Sequence, residues 1–218
     1  MTIITVIFWQ ESNFYIFLRS NFCGVNFNVV TAGCPDSPSY LRYFDRTNRR
    51  WTLEWKVGDS DGPESRNDNL IWIDKDNIYV YGGQDFGYNV LCDFWKYSIS
   101  SKTWTNLTVA DGSLYSVDRG SADATNYPGC RRGSAYWYTP DDNSIWIFSG
   151  VVAYEDNEFL PDLWRFNMTS QQWTFVAGLL KEVTESTVFS DPLDVTPAQR
   201  WGAYSAVDAQ YNLWYLQQ

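Results

Sequence analysis

The 218-residue chain is predicted to be all-β, built from a repeated unit of four short strands. Three observations point there. Tryptophans recur in matched settings: "YSISSKTW" ends at Trp104, "FNMTSQQW" ends 69 residues later at Trp173, and "FDRTNRRW" ends at Trp51. Each is preceded, seven positions earlier, by an aromatic residue: Phe44, Tyr97 and Phe166. Short runs rich in Val, Ile, Tyr, Phe and Trp alternate with Gly, Asp, Asn and Pro, the composition of strands joined by tight turns. No segment of helical length carries a 3.6-residue apolar period; "VAGLLKEV" comes nearest and is short.

The first unit, residues 5–55, is irregular: Phe44 and Trp51 mark its end, and "FNVVTAG" is a candidate second strand. The second, 63–107, opens on "PESR", continues through "DKDNIYVYGG" and "DFWK", and closes at Trp104. The third, 128–178, repeats that order with "PGCRRGSAYW", "PDDNSIWIFSG", "DLWR" and Trp173. A partial fourth, 197–218, carries "PAQRWGAYSA" and "DAQYNLWYLQQ", enough for two strands. In each lead-in an Arg stands three residues after Pro: Arg66, Arg131 and Arg200. Gly82–Gly83 and Ser149–Gly150 end the second strand, where a residue without Cβ lets the backbone turn close to its neighbour. Asp68 departs from the pattern, standing where the later units have Gly133 and Gly202. One such unit cannot bury both of its faces. Stacking the units radially, like wedges, buries them and leaves only short edges. The repeated aromatics are therefore assigned to the core between wedges.

The order of Arg-x-Gly, strand, paired glycines, loop, Asp-Leu-Trp, aromatic and Trp resembles the kelch repeat. The resemblance covers residues 63–178 well and 36–55 and 197–218 in part. It implies a kelch-type β-propeller, or part of one, with about three and a half four-stranded blades. The "DLW" and "W-x-x-x-x-G" spacings look like the long repeats of large multi-kelch arrays. Three routes to completing the ring stay open: further blades of a longer protein, self-association through open edges, or Thr2–Trp9 completing the last blade. At its matched blade position each Arg is expected to bond backbone or an acidic neighbour in the next blade. Galactose-oxidase-like proteins share such blades and use copper held by tyrosine and histidine. This chain has no histidine, so that site cannot be built within it. Ubiquitin-ligase adaptors and actin-binding proteins also resemble this fold, and neither role is assigned.

Charge bounds the partners. The net charge is −10 and the pI about 4.4, which argues against nucleic acid and favours basic partners. Without histidine, Ser-His-Asp, Cys-His and His-based metal chemistry are excluded. No carboxylate pair has the spacing of an acid/base couple, so no catalytic residue, cofactor or metal is assigned, and the chain is expected not to be an enzyme. The loops after second strands and between units, 84–92, 108–127, 151–161 and 177–196, are predicted to share one face. They carry eleven acids against two bases. The candidate partner-binding residues are Asp111, Asp118, Asp123, Glu155, Asp156, Glu158, Glu182 and Glu185, facing a basic protein segment. Solvated polar loops, and a calcium site at "EDNE", are the competing readings of the same charge.

Cys23, Cys34, Cys92 and Cys130 lack zinc spacing; buried thiols and, in an exported protein, disulfides remain open. "MTIITVIFW" lacks the basic lead of a signal peptide and the length of a membrane span, and reads as part of a strand pair. Two sequons, Asn106-Leu-Thr and Asn167-Met-Thr, keep an extracellular recognition or adhesion module as the alternative, and the compartment is left unassigned.

Overall fold

The computed structural model describes residues 4–10, 13–18, 40–59, 61–109, 118–152, 159–180, 197 and 202–216. Among them every regular element is a strand. The chain divides into two compact units, residues 1–108 and 109–218.

The first unit holds two antiparallel sheets. One joins β1 (Ile4–Gln10), β2 (Asn13–Leu18), β3 (Tyr40–Asp45) and β4 (Arg50–Lys56) in chain order. The other joins β5 (Leu70–Ile73), β6 (Asn77–Tyr81), β7 (Phe94–Ser98) and β8 (Thr103–Asn106), again in chain order. The N-terminal strand therefore belongs to the first sheet. Ile4 faces Leu18 and Gln10 faces Asn13. Only Glu11 and Ser12 separate the two strands, and closing so short a connection costs far less than reaching across the chain. The expected strand at "FNVVTAG" lies outside the described residues; β2 is the second strand of this sheet.

The sheets meet through alternating side chains. Leu41 and Trp55 of the first pack on Ile71, Ile73, Ile78, Val80, Tyr97 and Trp104 of the second. Trp55 meets Trp104 edge-on at 5.2 Å. Each such large apolar side chain contributes roughly 1.5–3 kcal/mol of burial. On the opposite face of the second sheet Trp72 stacks on Tyr79, with ring centroids 5.5 Å apart.

In the second unit β10 (Ala135–Thr139), β11 (Ser144–Phe148), β12 (Asp162–Asn167) and β13 (Gln172–Gly178) form the third sheet. The two-residue β9 (Ala122–Asp123), from a segment expected as loop, pairs with the outer edge of β13. The strand forms because an open edge offers unpaired N–H and C=O groups, and a passing segment can satisfy them. Asn126 reinforces the contact through its Nδ2, which donates to the Trp173 carbonyl at 2.9 Å. β14 (Tyr204–Val207) and β15 (Leu213–Leu216) make a two-stranded sheet. Ala203, Val207, Leu213 and Tyr215 pack on Ala135, Trp137 and Phe148 of the third sheet.

The repeat is visible in local geometry. Phe44–Trp51, Tyr97–Trp104 and Phe166–Trp173 have ring centroids 5.2, 5.0 and 4.9 Å apart. Trp104 and Trp173 are buried, whereas Trp51 keeps its partner but is 50% exposed, against the core assignment. Two residues before each Trp, Arg49, Lys102 and Gln171 take positive φ of 51°, 60° and 56°. The turn entering that residue is held by a polar side chain at its start. Asp45 Oδ1 accepts from the Thr47 and Asn48 amides. Asn167 Oδ1 does the same for Thr169 and Ser170. Such side chains bond the backbone two or three residues on and so fix the turn. Asp68 is explained similarly: its φ of 53° matches the 64° and 70° of Gly133 and Gly202. Asp tolerates the left-handed region better than most residues.

Candidate functional site

The matched Arg residues form the most regular polar feature. Arg66 is fully buried; its guanidinium bonds both carboxylate oxygens of Asp93 and the Gly82 carbonyl. Arg131 repeats this on Asp162 at 2.9 and 2.8 Å, on the Ser149 carbonyl at 3.1 Å and on the Pro128 carbonyl. Each carboxylate also accepts from the indole N–H two residues later, Trp95 Nε1 on Asp93 and Trp164 Nε1 on Asp162. The acid therefore comes from the same blade, not from the next one as the sequence suggested. In an antiparallel sheet the first and third strands enter at the same end. The lead-in Arg thus emerges beside the residue that opens the third strand. Arg200 lies outside the described residues. The first sheet has Tyr40 and Arg42 where the others have Asp and Trp, and the Arg42 guanidinium lies 5.3 Å over the Tyr40 ring.

The glycines at the end of the second strand belong to the same corner. Gly83 has a φ of +101°, and a Cβ there would sit 2.6 Å from the Asn67 carbonyl oxygen. Ser149 takes the left-handed conformation that Gly82 takes in the other sheet, with φ of 62° and 58°. The "SG" variation thus preserves the backbone path.

From that corner the 84–92 loop projects. Gln84 bridges Asn67 and Val90. Asp85 accepts from the Asn89 amide and from Asn89 Nδ2, both at 2.8 Å. Gln84 Nε2 donates to the Tyr88 carbonyl at 3.0 Å. This bracing holds up two aromatics, Phe86 at 36% and Tyr88 at 61% exposure. They are absent from the sequence-derived candidates. The signal was there: two aromatics flanking a glycine inside a polar loop, "DFGYN".

Of the eight acidic candidates, Asp118 and Asp123 are described, and both are exposed. Asp118 gives its carbonyl to the Ser121 amide at 3.2 Å, closing the turn into β9. Asp123 lies in β9 rather than in a loop and faces Trp173. The Thr125 hydroxyl and then its amide hold the Asp123 carboxyl below its ordinary range. Asp111, Glu155, Asp156, Glu158, Glu182 and Glu185 lie outside the described residues. Arg119, one of the two bases in these segments, turns inward. It donates to the Gly178 carbonyl at 3.1 Å and lies 5.5 Å over the Phe175 ring.

Cys92 and Cys130 are each disulfide-bonded, which decides the thiol question for those two. Among the described residues no group of three or more His, Cys, Asp or Glu is arranged to hold a metal. No described helix is long and apolar enough to cross a membrane.

Residues 73–108 match the kelch motif. The match runs from the end of β5 through β8. It takes in Gly82, Gly83, the Asp93–Trp95 start of β7, and Trp104. Together with the antiparallel sheets it fits a kelch-type β-propeller, and the motif suggests a protein-interaction module. No curated protein matches the chain significantly.

Proposed function

We propose that the chain is a non-enzymatic protein-interaction module that takes a basic partner segment on its inter-strand and inter-blade loops. The braced 84–90 loop carries this reading. It offers two exposed aromatics beside Asp85 on a rigid blade, and aromatic anchors are what dominate interface energies. Asp111, Asp118, Asp123, Glu155, Asp156, Glu158, Glu182 and Glu185 supply long-range attraction for a cationic segment. The test titrates a fluorescent Lys/Arg-rich peptide against the chain across a salt series. Replacing Glu155, Asp156 and Glu158 by Ser weakens binding and flattens its salt dependence. Phe86→Ala with Tyr88→Ala weakens binding about tenfold or more at every salt concentration and leaves the slope alone. Unchanged affinity of the Ser variant at low salt removes the acidic contribution.

A second reading, an extracellular recognition module, is supported by the disulfide-bonded state of Cys92 and Cys130, since such bonds persist in oxidising compartments. Alkylating the native protein before reduction tests it. Labelling of Cys92 and Cys130 as free thiols refutes it.

A further inference from the structure

We propose that Asn106 carries an N-linked glycan and that Asn167, the other sequon, stays bare. This rests on the extracellular reading, because the disulfides at Cys92 and Cys130 and the transfer of glycans to Asn-x-Thr both belong to a secretory lumen.

The two sequons sit in unlike surroundings. Asn106 is exposed and ends β8, the outermost strand of its sheet. Its Oδ1 accepts from the Thr108 amide at 2.8 Å, while its Nδ2 has no hydrogen-bond partner among the described residues. Thr108 anchors the segment by accepting from the Phe94 amide at 2.9 Å. A sugar on Nδ2 therefore breaks no described bond: Oδ1 and the Thr108 hydroxyl keep theirs. Asn167 is half-buried in the β12–β13 turn. Its Nδ2 donates to the Asp142 carbonyl at 3.3 Å, and its Oδ1 holds the Thr169 and Ser170 amides. A glycan there would crowd the side chain that fixes the turn.

The transfer balances simply. Nδ2 bonds to the anomeric carbon of an oligosaccharide carried on a lipid pyrophosphate. The anomeric C–O bond breaks, the pyrophosphate leaves, and Nδ2 gives up one of its two protons. The glycan would also serve the sheet. The outer edge of β13 is paired by β9, whereas among the described strands β8 has no such cover. A sugar at the end of β8 would keep other strands from adding to that edge.

The test takes the full chain from its source organism, releases N-glycans enzymatically in heavy-oxygen water, and maps the peptides after alkylation without reduction. Heavy-oxygen label on the Asn106 peptide and none on the Asn167 peptide is expected. An unlabelled Asn106, or a labelled Asn167, overturns the proposal. If Cys92 and Cys130 remain disulfide-bonded while Asn106 is bare, only this proposal fails. If both are free thiols, the extracellular reading fails with it. In a secreting eukaryotic cell line, Asn106→Gln should abolish the mobility shift on deglycosylation and Asn167→Gln should leave it. Thr108→Ala should abolish it too, as loss of the sequon rather than of Asn106 itself.

Discussion

Removing Asp162 offers the sharpest probe of the Arg–Asp–Trp arrangement. Arg131 is fully buried and the Asp162 side chain is 1% exposed. Asp162→Ala strands the guanidinium among backbone carbonyls and leaves Trp164 Nε1 without its acceptor. Breaking a buried ion pair from one side costs about 3–5 kcal/mol, and the orphaned indole N–H adds roughly 1 kcal/mol. The matched change Asp93→Ala should cost less, about 2–3 kcal/mol, because the Asp93 side chain is 24% exposed and water can take its place. Urea unfolding followed by tryptophan fluorescence measures both. Hydrogen exchange on β11 and β12 localises the effect, with about 10³-fold faster exchange for a loss of ~4 kcal/mol. Arg131→Met combined with Asp162→Leu removes the charges together and should recover most of the loss. A cost below about 1 kcal/mol for Asp162→Ala, or an equal cost for Asp93→Ala, would refute the view that burial of the pair sets its importance.

Gly83→Ala should destabilise by at least ~2 kcal/mol in urea unfolding, since strain at positive φ adds to a clash with the Asn67 carbonyl; a neutral result would mean the corner can relax. Gln171→Gly should raise stability by up to ~1 kcal/mol by relieving its left-handed φ, and a loss would assign the Gln171 side chain a role of its own. Asp208 accepts from Asn212 and Trp214 side chains and from backbone amides, which lower its pKa from 3.8 to about 2. Its folded-state pKa is depressed. Its contribution to the β14–β15 hairpin is therefore whole above pH 3.8 and fades as pH falls through about 2. The Trp214 indole ¹⁵N shift followed by NMR should report that midpoint; a midpoint at the ordinary carboxylate value would sink the assignment.

The blades were legible because their residues answer to short-range rules. Trp104 and Trp173 share a register with Tyr97 and Phe166. Each pair is joined by one tight turn, so spacing alone exposes it. The partner of each Arg was harder to see. Asp93 lies 27 residues after Arg66, but Asp162 lies 31 after Arg131, because the intervening loops differ in length. Strand β9 left no trace in composition, since Ala122 and Asp123 are poor strand formers that pair only because β13 offers an edge. The charge of the loops could be counted from the sequence, but not the direction of single groups. Asp123 is drawn into a strand, and Arg119 folds back onto Phe175. Phe86 and Tyr88 do not stand out in the sequence because aromatics in a repeat this rich in them read first as filling.

Because Arg66 finds Asp93, and Arg131 finds Asp162, inside a single sheet, each of these two buried ion pairs is complete within its own repeat. Duplicating or deleting such a repeat in the course of evolution carries its buried Arg–Asp pair along whole. That makes the unit a portable cassette, and arrays of it that lengthen or shorten have the apolar seams and a few polar contacts across them, such as Lys102–Glu54 and Trp137–Trp214, left to refit.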